Sequence, residues 1–454
     1  MLFTLKWLTS VFPNNKGIDE RVEIDTVFID SRKEVTNGLF VPIVGERFDG
    51  HQFVLGAIEN GAKAVLWEKT KPFPKDFPSK IAVFFVEDTT EALQHLAHEY
   101  KNVLNPKVIG ITGSNGKTTT KDLVSAVVQS TYKTHFTKGN FNNHIGLPLT
   151  ILSMPRDTEV LVLEMGMSDY GEIDLLSKIA EPELSIITNI GESHIEFLGS
   201  QEGIARAKLE IRNGMPRDGK LIIDGDEPLL SSLSREDQVI TCGFQSHNDV
   251  KIEHVRLSVE GTTFTLSDKR EYSVSLLGNH HAKNACFAIA VGKLLNIPED
   301  KIKTSLLEAA YTGMRFEFLE GKKGVTIVND AYNASPTSMI GAIEIVRSLS
   351  NFKQKVLVLG DIFELGSFGE QYHRQIGEQI IEPITAVFTY GELAEEISKV
   401  VQEKEKSIIA KHVKSEDELF KVLDPFLTEE SIVLFKASRG MAFEKFVEKL
   451  ITKQ

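Results

Sequence analysis

The chain has 454 residues, with 51 Lys and Arg against 64 Asp and Glu and a formal net charge of −13 at pH 7. That length exceeds what one hydrophobic core ordinarily organises, so several domains are expected. The negative balance repels a polyanion and no stretch concentrates the basic residues, so no nucleic-acid partner is expected.

Cys242 and Cys286 have neither metal-ligand spacing nor the number needed for a disulfide framework, which suits a reducing compartment, the cytoplasm. The N-terminal run from Met1 to Ser10 is apolar only in snatches broken by Lys6. No later stretch reaches the roughly 18 apolar residues of a membrane span, and a soluble, unprocessed monomer is the simplest expectation.

Short Val- and Ile-rich runs alternate with helical patterns over most of the length, which makes the fold class α/β with parallel sheets. Strands are expected at Ile24 to Asp30, Leu39 to Val44, Ala64 to Glu68 and Ile81 to Val86, followed by a helix whose start at Asp88-Thr-Thr-Glu91 has capping-box spacing. A boundary near Asn102 closes this N-terminal unit, residues 1–102. A new strand, Lys107 to Thr112, then enters a Gly-rich loop and a helix. The alternating segment from about Val250 to Leu277 reads as strands added to this central phosphate-loop domain, residues 103–312, with helices to Tyr311.

After a hinge at Thr312-Gly313-Met314, strands at Val325 to Asn329, Val356 to Leu359, Ala386 to Tyr390 and Ile432 to Lys436 define a Rossmann-like C-terminal unit. Its helices begin at Ser335 and Glu370, and a last helix closes the chain within residues 313–454.

The strongest motif is Gly110-Ile-Thr-Gly-Ser-Asn-Gly-Lys-Thr-Thr-Thr-Lys121. Gly113 and Gly116 let backbone N–H groups approach phosphate oxygens at a helix N-terminus. Gly113, Ser114, Asn115, Gly116, Lys117, Thr118 and Thr119 are therefore read as nucleotide-binding. Lys117 would serve the β and γ phosphates, and the Thr118 hydroxyl Mg²⁺. Ile111 stands where the strict pattern has Gly, so this is the shorter G-x-x-G-K-T form. The loop alone leaves kinase, transporter ATPase, GTPase and ligase open, although no Asn-Lys-x-Asp or Leu-Ser-Gly-Gly motif supports the GTPase or the transporter.

Val160-Leu-Val-Leu-Glu-Met-Gly166 is an apolar strand ending in a carboxylate, where α/β folds bind ligands, and Glu164 is a candidate Mg²⁺ ligand. Ile186-Ile-Thr-Asn-Ile-Gly-Glu-Ser-His194 repeats the arrangement with His194. A solvated strand end explains either one as well on residue type alone. The following helix carries Arg206, Lys208 and Glu210, which an ordinary surface helix also explains.

In this order the chain resembles the Mur ligases over essentially its whole length, through Gly113-x-x-Gly-Lys-Thr118, Asn142-Asn-His-Ile-Gly-Leu-Pro148, Glu164-Met-Gly, His194, Lys208 and Asn284. The resemblance implies ATP-dependent amide formation with two Mg²⁺ ions, Thr118 and Glu164 holding one, His194 and Lys208 serving the other. It implies that Lys208 carries a CO₂-derived carbamate, that Asn143 lies near the transferred phosphate, and that Asn284 reads adenine. Arg315 would contact the γ-phosphate and Asp330 the ribose, so Lys117, Asn143, His194, Lys208 and Arg315 form the implied catalytic set. His281 stands where the family's G-x-H-N-x-x-N segment has Asn, and that position is not carried over.

Asn329-Asp-Ala-Tyr-Asn-Ala-Ser-Pro-Thr-Ser-Met339, Gly360-Asp-Ile-Phe-Glu-Leu-Gly366 and Lys436-Ala-Ser-Arg-Gly440 resemble the members that add D-alanyl-D-alanine to a UDP-N-acetylmuramoyl-tripeptide. The D-Y-A-H-T-P-like block and D-N-P-R motif of members adding diaminopimelate or lysine are not present, and folylpolyglutamate synthetases share the loop but not this tail. Near the N-terminus, Asp30-Ser-Arg32 and Gly45-Glu-Arg-Phe-Asp-Gly-His-Gln-Phe53 resemble uridine-nucleotide-binding elements, which makes Ser31, Arg32, Arg47, Asp49 and His51 candidate UDP-sugar contacts.

Overall fold

The computed structural model describes residues 1–258 and 260–451. The chain divides into two compact units.

The first unit comprises Met1–Thr112, Val128–Ile186 and Glu210–Leu221. Its N-terminal sheet runs in the order Asn15–Lys16, Ala82–Val86, Ala62–Glu68, Gly38–Phe40 and Thr26–Phe28, parallel except for the outermost Asn15–Lys16. Residues Ala64 to Glu68 are buried without a break, as in strands covered on both faces. Phe28, Phe40, Val65, Trp67 and Val83 make the core.

The expected helix is Thr89–Leu104. Asp88 caps it by accepting from the backbone N–H groups of Thr90 and Glu91, and Ala92, Leu93, Leu96, Ala97 and Tyr100 form its buried stripe. The helix runs through the expected boundary at Asn102 and ends only at Asn105, which adopts the left-handed conformation (φ +49°) that stops a helix. Beyond it the strand Lys107–Thr112 pairs in parallel with Val160–Glu164, which pairs in parallel with Thr134–Phe136.

The second unit comprises Gly113–Val127, Ile187–Leu209 and Ile222–Gln454. The alternating segment forms Val250–Ser258, Gly261–Leu266 and Glu271–Val274, an antiparallel run that joins Val239–Gly243 through Val250–Ser258. Helices Asn279–Leu294 and Glu299–Leu307 follow.

The C-terminal sheet has the order Glu317–Glu320, Thr326–Asn329, Ser431–Lys436, Gln354–Gly360, Ala386–Tyr390 and Ile409–Val413, parallel except at its first strand. Val325, Ile327, Val356, Val358, Phe388, Val433 and Phe435 fill its core with Phe443 and Leu450 of the closing segment. Glu317–Glu320 and Ile409–Val413 were not among the expected strands; both lie at the sheet edge, where exposed polar positions interrupt the apolar run. No helix among the described residues is long and apolar enough to cross a membrane.

Candidate active site

The site grows from the turn after the strand Lys107–Thr112, where Gly113 to Gly116 lead into the helix Lys117–Gln129. Gly113 has φ +149°, and a Cβ there would fall 1.8 Å from Thr188 Oγ1. Gly116 has φ +78°, and a Cβ there would fall 2.8 Å from Asn284 Oδ1. Both positions therefore need glycine for conformation and for space.

The segment after Ile187 holds this loop. Thr188 Oγ1 donates to the carbonyl of Asn115 at 2.6 Å, while the Asn115 N–H donates to Asn189 Oδ1 at 2.9 Å. The Ser114 N–H donates to the Asn189 carbonyl at 3.1 Å and the Gly191 N–H to Ser114 Oγ at 2.8 Å. The run that ends in His194 is thus the scaffold of the phosphate loop, a role its residue types do not announce.

Lys117 Nζ donates to the carbonyls of Gly113 and Ser114 at 2.7 and 3.2 Å. Thr118 is buried, and its Oγ1 accepts from Arg315 Nη2 at 2.8 Å. The Arg315 guanidinium lies over the Tyr332 ring, 4.1 Å from its centre, close enough for a cation–π contact. Asp330 accepts from Lys436 Nζ at 2.5 Å and from the Phe316 N–H at 3.2 Å. Thr118, Asn284 and Arg315, distant in sequence, therefore gather around one loop, and Arg315 and Asp330 flank the same short turn.

Two further polar contacts reach this region. Ser335, the N-cap of the helix Pro336–Ser348, donates to Asn115 Oδ1 at 2.9 Å. The Glu192 carboxylate accepts from Thr337 Oγ1 at 2.7 and 2.8 Å and from the Thr337 N–H at 3.3 Å, at the positive end of that helix.

His194 has φ +67°, and its Nδ1 lies 2.5 Å from Glu364 Oε2. Glu364 is also left-handed, at φ +61°, so both partners hold a conformation that non-glycine residues seldom adopt. The His194 ring beside it holds the Glu364 carboxyl below the usual range against the opposing effect of burial. Nothing in the spacing of the sequence pointed to Glu192, Ser335 or Glu364 as partners. The block containing Glu364 was noticed only through resemblance.

Lys208 departs furthest from a surface-helix reading. It is 1% exposed on the helix Gln201–Leu209, whereas Arg206 on the same helix is exposed. Burial, with the like charge of Lys117, pushes its amine well below the ordinary lysine value.

In the first unit, Glu164 ends its strand 3% exposed and accepts from Asn142 Nδ2 at 2.8 Å. Asn143 is exposed, and its Oδ1 accepts from the N–H groups of Ile145 and Gly146 at 3.2 and 2.8 Å. Glu210 accepts from the N–H groups of Gly171 and Asp174, which makes it a cap for the helix Glu172–Ala180.

The candidate UDP-sugar residues fall into two groups. Arg32 and Arg47 are exposed, Arg32 paired with Asp30, and Ser31 gives its carbonyl to Asn60 Nδ2. His51 is buried instead: its Nδ1 meets Asp49 Oδ1 at 2.7 Å, its Nε2 accepts from the Glu68 N–H, and Asp49 also binds Lys71. Asp49 and His51 build the loop on which Arg47 stands.

A parallel-sheet fold whose glycine-rich turn, lysine and threonine open a helix defines a phosphate-loop protein. Three consecutive segments match family descriptions: residues 23–101 the Mur ligase family catalytic domain, 111–292 the Mur ligase middle domain, and 314–439 the Mur ligase glutamate ligase domain. The chain is 48% identical to the UDP-N-acetylmuramoyl-tripeptide--D-alanyl-D-alanine ligase of Bacillus subtilis (strain 168), over 95% of this chain and 94% of that one. It is 30% identical to the ligase of the same name from Escherichia coli (strain K12), over 98% of each. Its fold is similar to a crystal structure of MurF from Acinetobacter baumannii (TM-score 0.87, 28% identity, 98% of each chain). It is also similar to MurF ligase from Thermotoga maritima in complex with ADP (TM-score 0.83, 29% identity, 95% of this chain and 98% of that one). The chain belongs to the Mur ligase family.

Proposed function

We propose that this chain is an ATP-dependent ligase that joins D-alanyl-D-alanine to a UDP-N-acetylmuramoyl-tripeptide in the cytoplasmic synthesis of peptidoglycan precursors. The observation that carries the proposal is the phosphate loop braced by Thr188 and Asn189 with Arg315 reaching Thr118, in a chain 48% identical to a ligase of that name.

In the reaction, an oxygen of the terminal tripeptide carboxylate attacks the γ-phosphorus of ATP, and ADP leaves. The amine of the dipeptide then attacks the acyl carbon of the resulting acyl phosphate. Phosphate departs with the bridging oxygen, and the amine gives up a proton as the amide forms. No protein nucleophile takes part, so the residues act by positioning and by offsetting charge. Loop N–H groups and Lys117 hold the phosphates, Arg315 faces the γ-phosphate, Asn143 lies near the transferred group, Asn284 reads adenine and Asp330 binds the ribose.

Mg²⁺ is bound by one or two protein oxygens together with substrate phosphates and water. The Thr118 hydroxyl and Glu164 carboxylate are donors of that kind, and Mg²⁺ supplies neutralisation of phosphate charge. His194 and a carbamylated Lys208 would serve a second ion. A buried amine driven toward its neutral form is the form that attacks CO₂, with loss of a proton, and the carbamate gives an anion at that position.

The organisation that goes with this function is an N-terminal UDP-substrate domain through the helix that ends at Asn105, a central ATP domain from Pro106 to Thr312 and a Rossmann-like C-terminal domain (313–454). In the first, Arg32 and Arg47 face the diphosphate beside Ser31, and Asp49 and His51 keep the loop in shape. Offering D-alanyl-D-alanine and single amino acids side by side, with products read by mass spectrometry, tests the assignment. The dipeptide adduct is expected, and incorporation of a single amino acid would contradict it.

A further inference from the structure

Neighbouring parallel strands of the C-terminal sheet, Thr326–Asn329, Ser431–Lys436 and Gln354–Gly360, release loops at their C-terminal ends, the side on which α/β sheets bind ligands. These loops are tied to one another. The Ser438 N–H donates to the Asp361 carbonyl at 3.0 Å, the Phe363 N–H to Ser438 Oγ at 2.9 Å, and the Arg439 N–H approaches Asn333 Oδ1 at 3.4 Å. They form one preformed rim.

Arg439 stands on that rim with its side chain 53% exposed. Its guanidinium lies 6.0 Å from the centre of the Tyr332 ring, the same ring that carries Arg315 at 4.1 Å. Arg315 in turn bonds Thr118 of the phosphate loop. A single aromatic ring therefore links Arg439 to the arginine that bonds the phosphate loop.

The side-chain contacts of Arg439 run through a single nitrogen, one of them an ion pair with Glu444. Its Nη1 sits 3.3 Å from a Glu444 oxygen and 3.7 Å from the Met314 thioether sulfur, a weak acceptor. A guanidinium fork is suited to two parallel bonds with a carboxylate. Beside it the exposed Phe363 ring packs over Gly440, where a Cβ would come within 2.7 Å of the ring. The rim thus sets a guanidinium, paired at one nitrogen with Glu444, next to an apolar surface.

We infer that Arg439 binds the terminal carboxylate of the incoming D-alanyl-D-alanine, with Phe363 against its methyl groups. The inference rests on the ligase reading and adds a specificity-determining residue to it. The acceptor amine must reach the acyl carbon beside Arg315, and an extended dipeptide places its carboxylate roughly 7 Å further on. Arg315 and Arg439 both lie against the Tyr332 ring, 4.1 and 6.0 Å from its centre.

The test compares kcat/KM for D-alanyl-D-alanine with that for D-alanyl-D-alaninamide, which lacks the carboxylate charge. The wild type is expected to prefer the acid by about tenfold or more, the effect of a charged hydrogen bond. In Arg439→Gln that preference should fall to about one, with KM for ATP and for the UDP-substrate within about twofold of wild type; Arg439→Lys should restore part of it. An Arg439→Gln enzyme that ligates the dipeptide and keeps the wild-type preference overturns this inference alone. A wild type inactive on the dipeptide overturns the ligase reading, and this inference with it.

Discussion

Lys117 rests on the carbonyls of its own loop, and in the proposed reaction its ammonium would serve phosphate oxygens. Removing a donor aimed at developing negative charge typically lowers a rate by ~10²–10³-fold, so Lys117→Ala should lose ligation to that extent in a steady-state assay. Lys208→Ala should lose activity as well, and a small added carboxylate should restore part of it if the carbamate supplies the missing anion. Full activity of Lys208→Ala would exclude that role. A different residue sets a pH dependence. Burial raises the Asp49 carboxyl, but hydrogen bonds from Lys71 and from the His51 backbone and ring more than offset this and bring it down to about 2. A folded value below the unfolded ~3.9 means the stabilisation is full above that pH and fades as pH falls toward about 2. Urea titrations between these limits should give wild type a steeper loss than Asp49→Asn; parallel curves would contradict the assignment.

The phosphate loop was legible at this scale because its chemistry is written in consecutive residues, Gly113 to Thr118. Its supports were not. Thr188, Asn189 and Ser335 reach it from segments some 70 to 220 residues away, and Ser, Thr and Asn at a strand end or helix start have many ordinary uses. Lys208 could be picked out only by resemblance, since a lysine between the charged Arg206 and Glu210 reads as a solvated position and its burial comes from tertiary packing.

At the scale of elements, the helix Thr89–Leu104 was readable from its Asp88 cap and its apolar stripe. Asp88→Ala should lower stability by about 1 kcal/mol, read as a shift in the urea midpoint with unchanged slope; no shift would mean the cap contributes nothing measurable. Buried parallel strands such as Ala386–Tyr390 and Lys107–Thr112 were found to the residue because their apolar runs are continuous. The edge strand Ile409–Val413 was missed for the converse reason. Its first four side chains alternate between exposed and partly buried with only Val413 in the core, and pairing with Ala386–Tyr390 fixes it as a strand.

Over the whole molecule, the N-terminal, middle and C-terminal family segments fall at 23–101, 111–292 and 314–439. Nucleotide use is written in the phosphate loop, and the ligase class comes with the family. The identity of the acceptor leans on the stretches from Asp330 to Pro336, Gly360 to Gly366 and Lys436 to Gly440, where resemblance is specific. The central claim, that ATP is spent only to join these two substrates, is tested most directly by phosphate release with ATP, UDP-N-acetylmuramoyl-tripeptide and D-alanyl-D-alanine, each omitted in turn. Release that requires all three and matches amide formed one for one is the predicted result. Comparable release in the absence of the dipeptide or of the tripeptide would contradict it.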